Sequence, residues 1–440
     1  MRRAAATGRG GGVVIIQVGE WWILLTGVLA ATSCALLGTF LVLRRMSLLG
    51  DAISHAVLPG IAIAFFFSES RAILPMFVGA SAFGLITTVL VENLHRRWHV
   101  PEDASIGIVF TALFALGVVL ISAYAGQVDL DQECVLYGEI AYTQFDLLLL
   151  DGVSYGPRPV WILGTVLLLN LAFIGLFYKE LVIASFDAAM AVSVGINAAL
   201  IHYMLMAAVS VTTVASFESV GAILVVAMLI VPGAAAYLWS DRLPVILVTA
   251  VGIGATSAVA GYFLAGLWNS SIAGAMVVVL GGLFVVSVLL APRQGLVARA
   301  WMRAALSVKV AQDHMLLSMV RVAEVDENRR WVGAALIGEA SVSSLLARLA
   351  LRRLTQRALL QDTASGMRLT ERGRREGLRL LRGHRLWETY LSDLGLPEDH
   401  VHEPADALEH YIDDQVDREL DGEVAAGRVD PQGKEIPPTR

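Results

Sequence analysis

The strongest constraint on this chain is a series of long apolar stretches in its first two thirds. Most approach the ~17–25 residues that a helix needs to cross the hydrocarbon core of a membrane. They lie at residues 21–43, 52–67, 72–91, 104–124, 160–178, 200–216, 220–239, 243–266 and 272–290. The stretch at 52–67 is short and residues 140–160 are ambiguous. The pattern therefore predicts an all-α polytopic membrane protein with eight or nine transmembrane helices.

Charge divides the chain near Pro292. Residues 11–292 contain 24 Asp, Glu, Lys and Arg residues, whereas residues 293–440 contain 45. The charged fraction of the whole chain is 16%, below the ~25% that is usual in soluble domains. A membrane domain at 20–292 is therefore expected to precede a water-soluble region. We expect disorder at the two ends, residues 1–19 and 424–440.

The basic residues between the apolar stretches predict the orientation. Cytoplasmic loops carry more Lys and Arg than loops on the other side. With nine spans counted, the Arg-rich C-terminal region and the basic loop residues fall on one side, so that side is expected to be cytoplasmic and the N-terminus outside. Arg2, Arg3 and Arg9 oppose this orientation. The loop residues are Arg44, Arg45, Arg96, Arg97, Lys179 and Arg242.

Asp51 and His55 are ionisable residues inside the apolar part of the chain. Residues four apart share one face of a helix, so the carboxylate and the imidazole can hold one cation between them. Ionisable groups are costly in a bilayer and usually line a pathway or a site. Oxygen and nitrogen donors suit Mn²⁺, Fe²⁺ or Zn²⁺ better than copper. The alternative is an Asp near a helix end and an interfacial His, each solvated.

The run from Leu43 to Gly60, which contains this pair, resembles the permeases of ATP-driven zinc, manganese and iron importers. Residues 219–236 and 185–195 extend the resemblance, which covers about residues 20–290. It implies a fold like that of type II importers and a metal in the translocation path at Asp51 and His55. It also implies a bacterial plasma-membrane location, and as partners an ATPase subunit, an extracellular metal-binding lipoprotein and a second permease subunit.

The same resemblance implies that a short loop helix docks onto the ATPase. Its residues are Phe186, Asp187, Ala189 and Gly195, and the alternative is an ordinary amphipathic linker. A phosphate-binding loop ends in Gly-Lys-Ser/Thr. None of Lys179, Lys309 and Lys434 is in such a motif. The chain is therefore expected to be a transport subunit rather than an enzyme.

The sequence also suggests roles for two further residues of the membrane region. Pro232 lies within an apolar stretch, where it favours a broken helix near the pathway over a plain kink. His202 is expected to pack or to lie at the membrane interface rather than to bind the transported ion.

The water-soluble region begins with a winged-helix outline over residues 305–375. A helix opens near Ser343, and residues 361–369 predict two short strands around a turn. Arg348 and Arg352 of that helix could contact DNA together with Ser343. The alternatives, which we favour over DNA, are a solvated basic face or a face that meets lipid or the ATPase.

The segments 369–373, 383–388 and 401–410 resemble the diphtheria toxin repressor family of iron- and manganese-dependent regulators. The resemblance implies metal-binding and dimerisation helices at 376–423. It places His384, Glu388 and His402 in one metal site and Asp406, Glu409 and His410 in a neighbouring one. Ligands from an N-terminal helix are also implied, and the candidates are Asp313 and His314.

The spacing supports metal binding independently of the resemblance. His384 and Glu388 are four residues apart, as are His402 and Asp406, so two helices each present oxygen and nitrogen donors on one face. The resemblance adds a preference among metals, since manganese-responsive members of that family carry a carboxylate at the position of Asp406 and iron-responsive members a Cys. Mn²⁺ or Fe²⁺ is therefore favoured, with a lean toward Mn²⁺, and Zn²⁺ is possible.

The sequence therefore predicts a metal-importer permease subunit with a cytoplasmic metal-sensing domain. One alternative is a membrane-tethered, metal-responsive transcription regulator. Another is a proton-coupled secondary transporter, which the lack of Lys or Glu relays in the apolar stretches disfavours.

Overall fold

The structure is a computed structural model, and it describes residues 18–68, 73–124, 140–150, 153–324, 336, 343–363, 366–397, 400–408, 414–424 and 429–438. The chain forms two compact units, residues 1–298 and 299–440.

The membrane unit is built almost entirely from helices. Eight helical spans in the described residues have the length and composition to cross a membrane, and a ninth apolar helix, α10, is shorter. The helices are α1 Val18–Leu43, α2 Leu48–Ala56, α3 Leu58–Ser68, α4 Ile73–Trp98, α5 Glu102–Tyr124, α6 Arg158–Leu176, α7 Tyr178–Phe186, α8 Ala188–Ser193, α9 Ala198–Val220, α10 Ala222–Tyr237, α11 Leu243–Trp268 and α12 Ile272–Leu290. The predicted all-α polytopic fold is confirmed.

Helix α1 lies at the centre of this unit and packs against α6, α9, α10 and α11. Its closest approach is to α10, where a Cβ added to Gly38 would overlap the carbonyl of Leu229. A Cβ on Gly233 would in turn reach the backbone of Thr39. Small residues of this kind let helix backbones approach closely, which is the main source of packing energy between helices in a membrane.

The region between α5 and α6 contains elements that hydropathy did not resolve. Ile140–Phe145 forms a 3₁₀ helix, and a short antiparallel ribbon follows. Its strands are β1 Leu147–Leu150 and β2 Val153–Pro157. The ribbon ends directly at α6, so the ambiguous residues 140–160 do not add a spanning helix.

The prediction that a helix breaks at Pro232 is wrong, because Pro232 lies inside the continuous helix α10. The interruption near the predicted metal pair occurs instead at Val57, between α2 and α3. Pro59 explains it, since a proline has no N–H to donate to the carbonyl four residues earlier.

The second unit combines helices with one small hairpin. Its helices are α13 Leu296–Ala323, α14 Ser344–Gln356, α15 Glu371–Asp393, α16 His402–Leu408 and α17 Asp414–Glu423. Strands β3 Leu360–Thr363 and β4 Gly366–Leu369 pair antiparallel, with Leu360 opposite Leu369. Apolar residues of α13 and α14 form one core with the start of β3. The expected hairpin and the mostly helical character of this unit are confirmed.

The end of the chain differs from the expected disordered tail, because residues 429–438 form a turn that packs on α15. The Asp430 carboxylate accepts the backbone N–H of Lys434 at 2.7 Å. From α15, Arg385 reaches Asp430 and donates to the carbonyl of Glu435, while Arg382 donates to the carbonyl of Pro437. The composition of the tail gives no sign of this, because the two arginines that hold it lie about 50 residues earlier.

Gly38 tests the close crossing of α1 and α10. We expect Gly38→Ala to lower the apparent melting temperature of the purified protein, since the new methyl group forces the helices apart at a cost of roughly 1–3 kcal/mol. Gly164→Ala on α6 is the matched control, because a Cβ there meets no atom within 4 Å. Thermal unfolding followed by size-exclusion chromatography measures both, and equal melting temperatures would contradict the packing.

Candidate metal sites

Asp51 and His55 lie one turn apart on α2, as their spacing predicts. The His55 Nε2 atom is 3.6 Å from Asp51 Oδ1. That separation is too long for a good hydrogen bond but suits two atoms that contact the same cation at about 2.1 Å each. The arrangement supplies one nitrogen and one oxygen donor.

The pair lies on the open side of α2. The rest of α2 packs against α4, α5 and α9 and buries Leu49 and Ile53 completely. The side chains of Asp51 and His55 are 43% and 31% exposed, and Leu48 continues the same stripe. Two donors do not complete the coordination shell of a divalent transition metal. Further donors must therefore come from outside this stripe.

The His55 side chain is oriented by aromatic residues of α5. The ring centroids of Phe110 and Phe114 each lie 5.9 Å from the imidazole centroid. Pro59 leaves the backbone carbonyl of His55 without its usual helical donor.

The segment proposed to dock onto an ATPase forms a sharp corner between α7 and α8. Asp187 caps α8, since its Oδ1 accepts the N–H of Met190 at 2.8 Å. Gly195 ends the segment with a φ of +81°, a conformation that favours glycine. Phe186 and Ala189 are exposed, and three other apolar side chains accompany them. Those are Met190, Val192 and Val194. The corner therefore presents an apolar patch.

Beside this corner the structure brings together ionisable residues that are far apart in sequence. Arg44 Nε donates to Ser185 Oγ at 3.0 Å, and Arg44 Nη1 lies 3.4 Å from His202 Nδ1. His202 Nε2 lies 3.4 Å from Glu92 Oε2, and Arg96 Nε lies 2.8 Å from Glu92 Oε1. We call Arg44, His202 and Glu92 the charge relay. His202 therefore does more than pack, and the signal in the sequence was Glu92, an acid at the end of an apolar stretch. Glu92 lies inside the span Leu74–Trp98, so the expectation that the spans lack a Glu relay is wrong.

The second candidate site joins α15 and α16 in the C-terminal unit. Potential ligand atoms of His384, His402 and Asp406 all lie within 4.8 Å of one another. His384 Nδ1 is 3.2 Å from Asp406 Oδ1, and His402 Nε2 is 3.6 Å from Asp406 Oδ2. Glu388 Oε1 lies 3.0 Å from His384 Nε2 and 2.7 Å from His402 Nδ1. Four of the six predicted residues thus form one cluster of nitrogen and oxygen donors.

Burial gives this cluster a closed wall and an open mouth. The side chains of His384 and Glu388 are 2% and 4% exposed, whereas His402 and Asp406 are 54% and 34% exposed. Burial by itself would raise the pKa of Glu388, but the hydrogen bonds from His384 and His402 outweigh it and lower that pKa to about 2. Glu388 is therefore an anion at neutral pH and favours a cation beside it.

The expected division into two tail sites stays a prediction, because only part of the second site lies within the described residues. Asp406 was assigned to the neighbouring site, yet it lies beside His384 and His402, because it follows His402 by one turn on the helix that packs against α15. Glu409 and His410 lie outside the described residues. Arg321 of α13 lies 3.9 Å from Asp406, and the cluster found among the described residues does not include Asp313 or His314.

The residues considered for DNA contact lie on α14 of the winged-helix outline. Ser343 precedes the helix as its N-cap residue, without a capping hydrogen bond from its side chain. Arg348 and Arg352 are both exposed, as are Arg353 and Arg357 on the same helix or at its end. The hairpin β3–β4 follows directly. The unit therefore presents a basic helix next to a wing.

Comparison with known proteins assigns both halves of the chain. Residues 21–291 match the ABC 3 transport family, and residues 370–438 match a domain described as iron dependent repressor, metal binding and dimerisation domain. The manganese transport system membrane protein MntD of Bacillus subtilis is 51% identical over 280 residues, 64% of this chain and 95% of MntD. The zinc transport system membrane protein TroD of Treponema pallidum is 41% identical over 286 residues, 65% of this chain and 78% of TroD.

Among solved structures, PsaBC from Streptococcus pneumoniae in complex with Fab is similar, with a TM-score of 0.53 and 32% identity. The match covers 63% of this chain and 94% of that chain. Both resemblances drawn from the sequence motifs are thereby confirmed. Since the first family match covers more than half of its length, this protein belongs to the ABC 3 transport family and carries a C-terminal metal-binding domain of the iron-dependent repressor type.

Proposed function

We propose that this protein is the permease subunit of an ATP-driven importer of manganese, and that its C-terminal unit senses the imported metal. The observation that carries the first part is the Asp51–His55 pair on the open stripe of α2, in a chain of a transport family. The permease binds and releases the ion, and a separate ATPase subunit supplies the energy.

Manganese is the proposed substrate for two reasons. Several similar proteins are named as membrane or permease subunits of manganese systems, although TroD is named for zinc. The donors at both candidate sites are nitrogen and oxygen, which suit Mn²⁺ and Fe²⁺ and also accept Zn²⁺. The carboxylate of Asp406 in the tail cluster is a hard ligand and favours Mn²⁺ over softer ions.

The proposed partners complete the coordination of the ion, cover the exposed apolar patch and deliver the metal. The stripe with Asp51 and His55 offers two donors, so a second copy of the permease would supply two more. The apolar patch around Phe186 would dock onto the ATPase at the cytoplasmic side. An extracellular metal-binding lipoprotein would deliver the ion from the opposite side.

The tail cluster supports a sensor on the cytoplasmic side. His384, Glu388, His402 and Asp406 would hold a divalent ion, and the anionic Glu388 compensates its charge inside the buried wall. Metal from the cytoplasm would then stabilise one arrangement of two paired tails and slow further uptake. Such a shift requires the ion to bind the two arrangements with different affinities.

A second candidate function is a membrane-tethered transcription regulator. The exposed arginines of α14 beside the β3–β4 hairpin favour it. It requires metal-dependent binding to a specific DNA sequence, with an affinity that falls steeply as salt rises. A tether to the membrane restricts such a protein to few DNA sites, so the transport role remains our conclusion.

The pathway site is tested by Asp51→Asn, which keeps the shape of the side chain and removes its charge. The variant is reconstituted with its ATPase in proteoliposomes. We expect its ATP-dependent ⁵⁴Mn²⁺ uptake to fall by roughly 100-fold, because loss of a direct ligand should cost at least as much as loss of a residue that only supports a ligand. Asp103→Asn, an exposed acid at the start of α5, is the control. Uptake by Asp51→Asn at the control rate would exclude the pair as the site.

The tail cluster is tested by calorimetric titration of Mn²⁺ into the full chain carrying Asp51→Asn, so that only the tail site reports. We expect His384→Gln to weaken binding by roughly 10–100-fold, because it removes a buried donor. His400→Gln, another histidine of the same acidic region, is the matched control. Equal affinity in the two variants would contradict the assignment.

Feedback is tested by uptake into vesicles preloaded with increasing Mn²⁺ on the side that carries the tail. We expect the full chain to slow as that concentration rises, whereas a chain ending at residue 298 and the His384→Gln chain continue at the initial rate. The two altered chains should agree, since one removes the sensor and the other only its ligand. If all three slow equally, the tail is not a feedback sensor.

A further inference from the structure

The charge relay of Arg44, His202 and Glu92 is an ionisable cluster in the membrane unit that the metal site does not use. The side chains of His202 and Glu92 are 9% and 10% exposed. Burial lowers the pKa of Arg44 to about 10, so its guanidinium stays charged at neutral pH. Charges buried in this way are costly unless they are paired, so their presence calls for a role beyond packing.

The contacts define a direction along the relay. An arginine can only donate, so Arg44 Nη1 donates to Nδ1 of His202. In the neutral imidazole the proton is then on Nε2, which faces Glu92 Oε2. Arg96 pairs with the other oxygen of Glu92. The relay thus runs from Ser185 through Arg44 and His202 to Glu92.

His202 and Glu92 lie close together but do not form a hydrogen bond. The two atoms lie 3.4 Å apart, yet neither finds a partner with hydrogen-bond geometry in the described part of the chain. The relay borders a cavity of about 880 Å³, which is also lined by Phe186, Val192 and Gly195 of the corner. The His202–Glu92 link therefore has room to shorten when the corner moves.

The relay connects the two parts of the permease that an ATP-driven cycle must link. Ser185 directly precedes the apolar patch at Phe186. Arg44 lies in the tight turn before α2, where Met46 N–H bonds to the carbonyl of Leu41 and fixes the approach to the helix of Asp51. Glu92 is on α4, which packs against α2. A displacement at Ser185 thus reaches the metal helix through Arg44.

We propose that Arg44, His202 and Glu92 are positioning residues that couple movement of the ATPase-docking corner to the metal-binding helix α2. The inference rests on the proposed transport function. The relay is not a second metal site, because the guanidinium of Arg44 holds the imidazole in the tautomer whose Nε2 carries a proton, and its charge repels a divalent cation.

The test uses the full chain with its ATPase in proteoliposomes, and it measures Mn²⁺ uptake, ATP hydrolysis and Mn²⁺ affinity on the same preparations. We expect Glu92→Gln to lower the Mn²⁺ transported per ATP about tenfold, within the range of typical coupling between sites, with ATP hydrolysis and Mn²⁺ affinity nearly unchanged. Glu102→Gln is the matched control, because Glu102 lines the same cavity outside the relay. Glu92→Asp, which keeps the charge, should recover part of the ratio.

Non-additivity distinguishes a relay from separate structural effects. We expect the double variant Glu92→Gln/His202→Gln to be no worse than the more impaired single variant, since either change opens the same chain of contacts. If Glu92→Gln does not assemble with the ATPase, Ser185→Ala removes a single hydroxyl at the other end and should still lower the ratio.

Several outcomes would overturn the inference. These are Glu92→Gln or Ser185→Ala behaving like Glu102→Gln, losses that multiply in the double variant, or a fall in Mn²⁺ affinity at an unchanged ratio. The last outcome would make the cavity an exit site for the ion. An unaltered protein without any ATP-dependent Mn²⁺ uptake would instead refute the proposed function, so the two failures are distinguishable.

Discussion

The cost of placing a charged or polar group among apolar helices organises the membrane unit. Among the described residues of that unit, some ionisable groups are paired and others lie on a surface that this chain leaves open, while one buried carboxylate oxygen each of Glu102 and Glu180 has no hydrogen-bond partner. Arg44, His202 and Glu92 contact one another around a cavity, although Arg44 Nη2, His202 Nε2 and Glu92 Oε2 have no hydrogen-bond partner in the described residues. Asp51 and His55 instead face outward from α2 and are only partly buried. The two solutions suit different tasks. A paired cluster can transmit a displacement, while an open pair can exchange an ion.

Close helix packing makes the open stripe narrow. A Cβ on Gly84 of α4 would press on Ile53 of α2, and one on Gly60 of α3 would overlap the backbone carbonyl of Gly79. These small residues bring neighbouring helices against α2 and α3, so that α2 is covered on every side except the stripe of Asp51 and His55. The position of Asp51 and His55 therefore depends on glycines that cannot bind a metal through a side chain.

How much of this was predictable depends on the distance in sequence between the interacting residues. Asp51 with His55 and His384 with Glu388 are separated by one helical turn, so spacing alone placed each pair on a common face. The charge relay joins residues 110 to 158 positions apart, and helical periodicity carries no information about such a contact. The turn at 429–438 could not be predicted from periodicity either, because the residues that hold it, Arg382 and Arg385, lie on α15. The prediction of the helix break was wrong for a different reason. Pro232 and Pro59 both lie in apolar stretches, and only packing decides which of the two prolines interrupts a helix.

The two candidate metal sites differ in the way that their proposed roles demand. A transport site must release its ion in every cycle, and two partly exposed donors on α2 hold an ion weakly until a second subunit contributes. A sensor must stay occupied at the metal concentration it reports, and the tail cluster offers four donors, with His384 and the anionic Glu388 almost fully buried. Donors that are already in place lose little conformational entropy on binding, which favours affinity. The proposed sites would thus give one chain a loosely held ion in the membrane unit and a firmly held ion in the C-terminal unit, the relation that feedback on uptake requires.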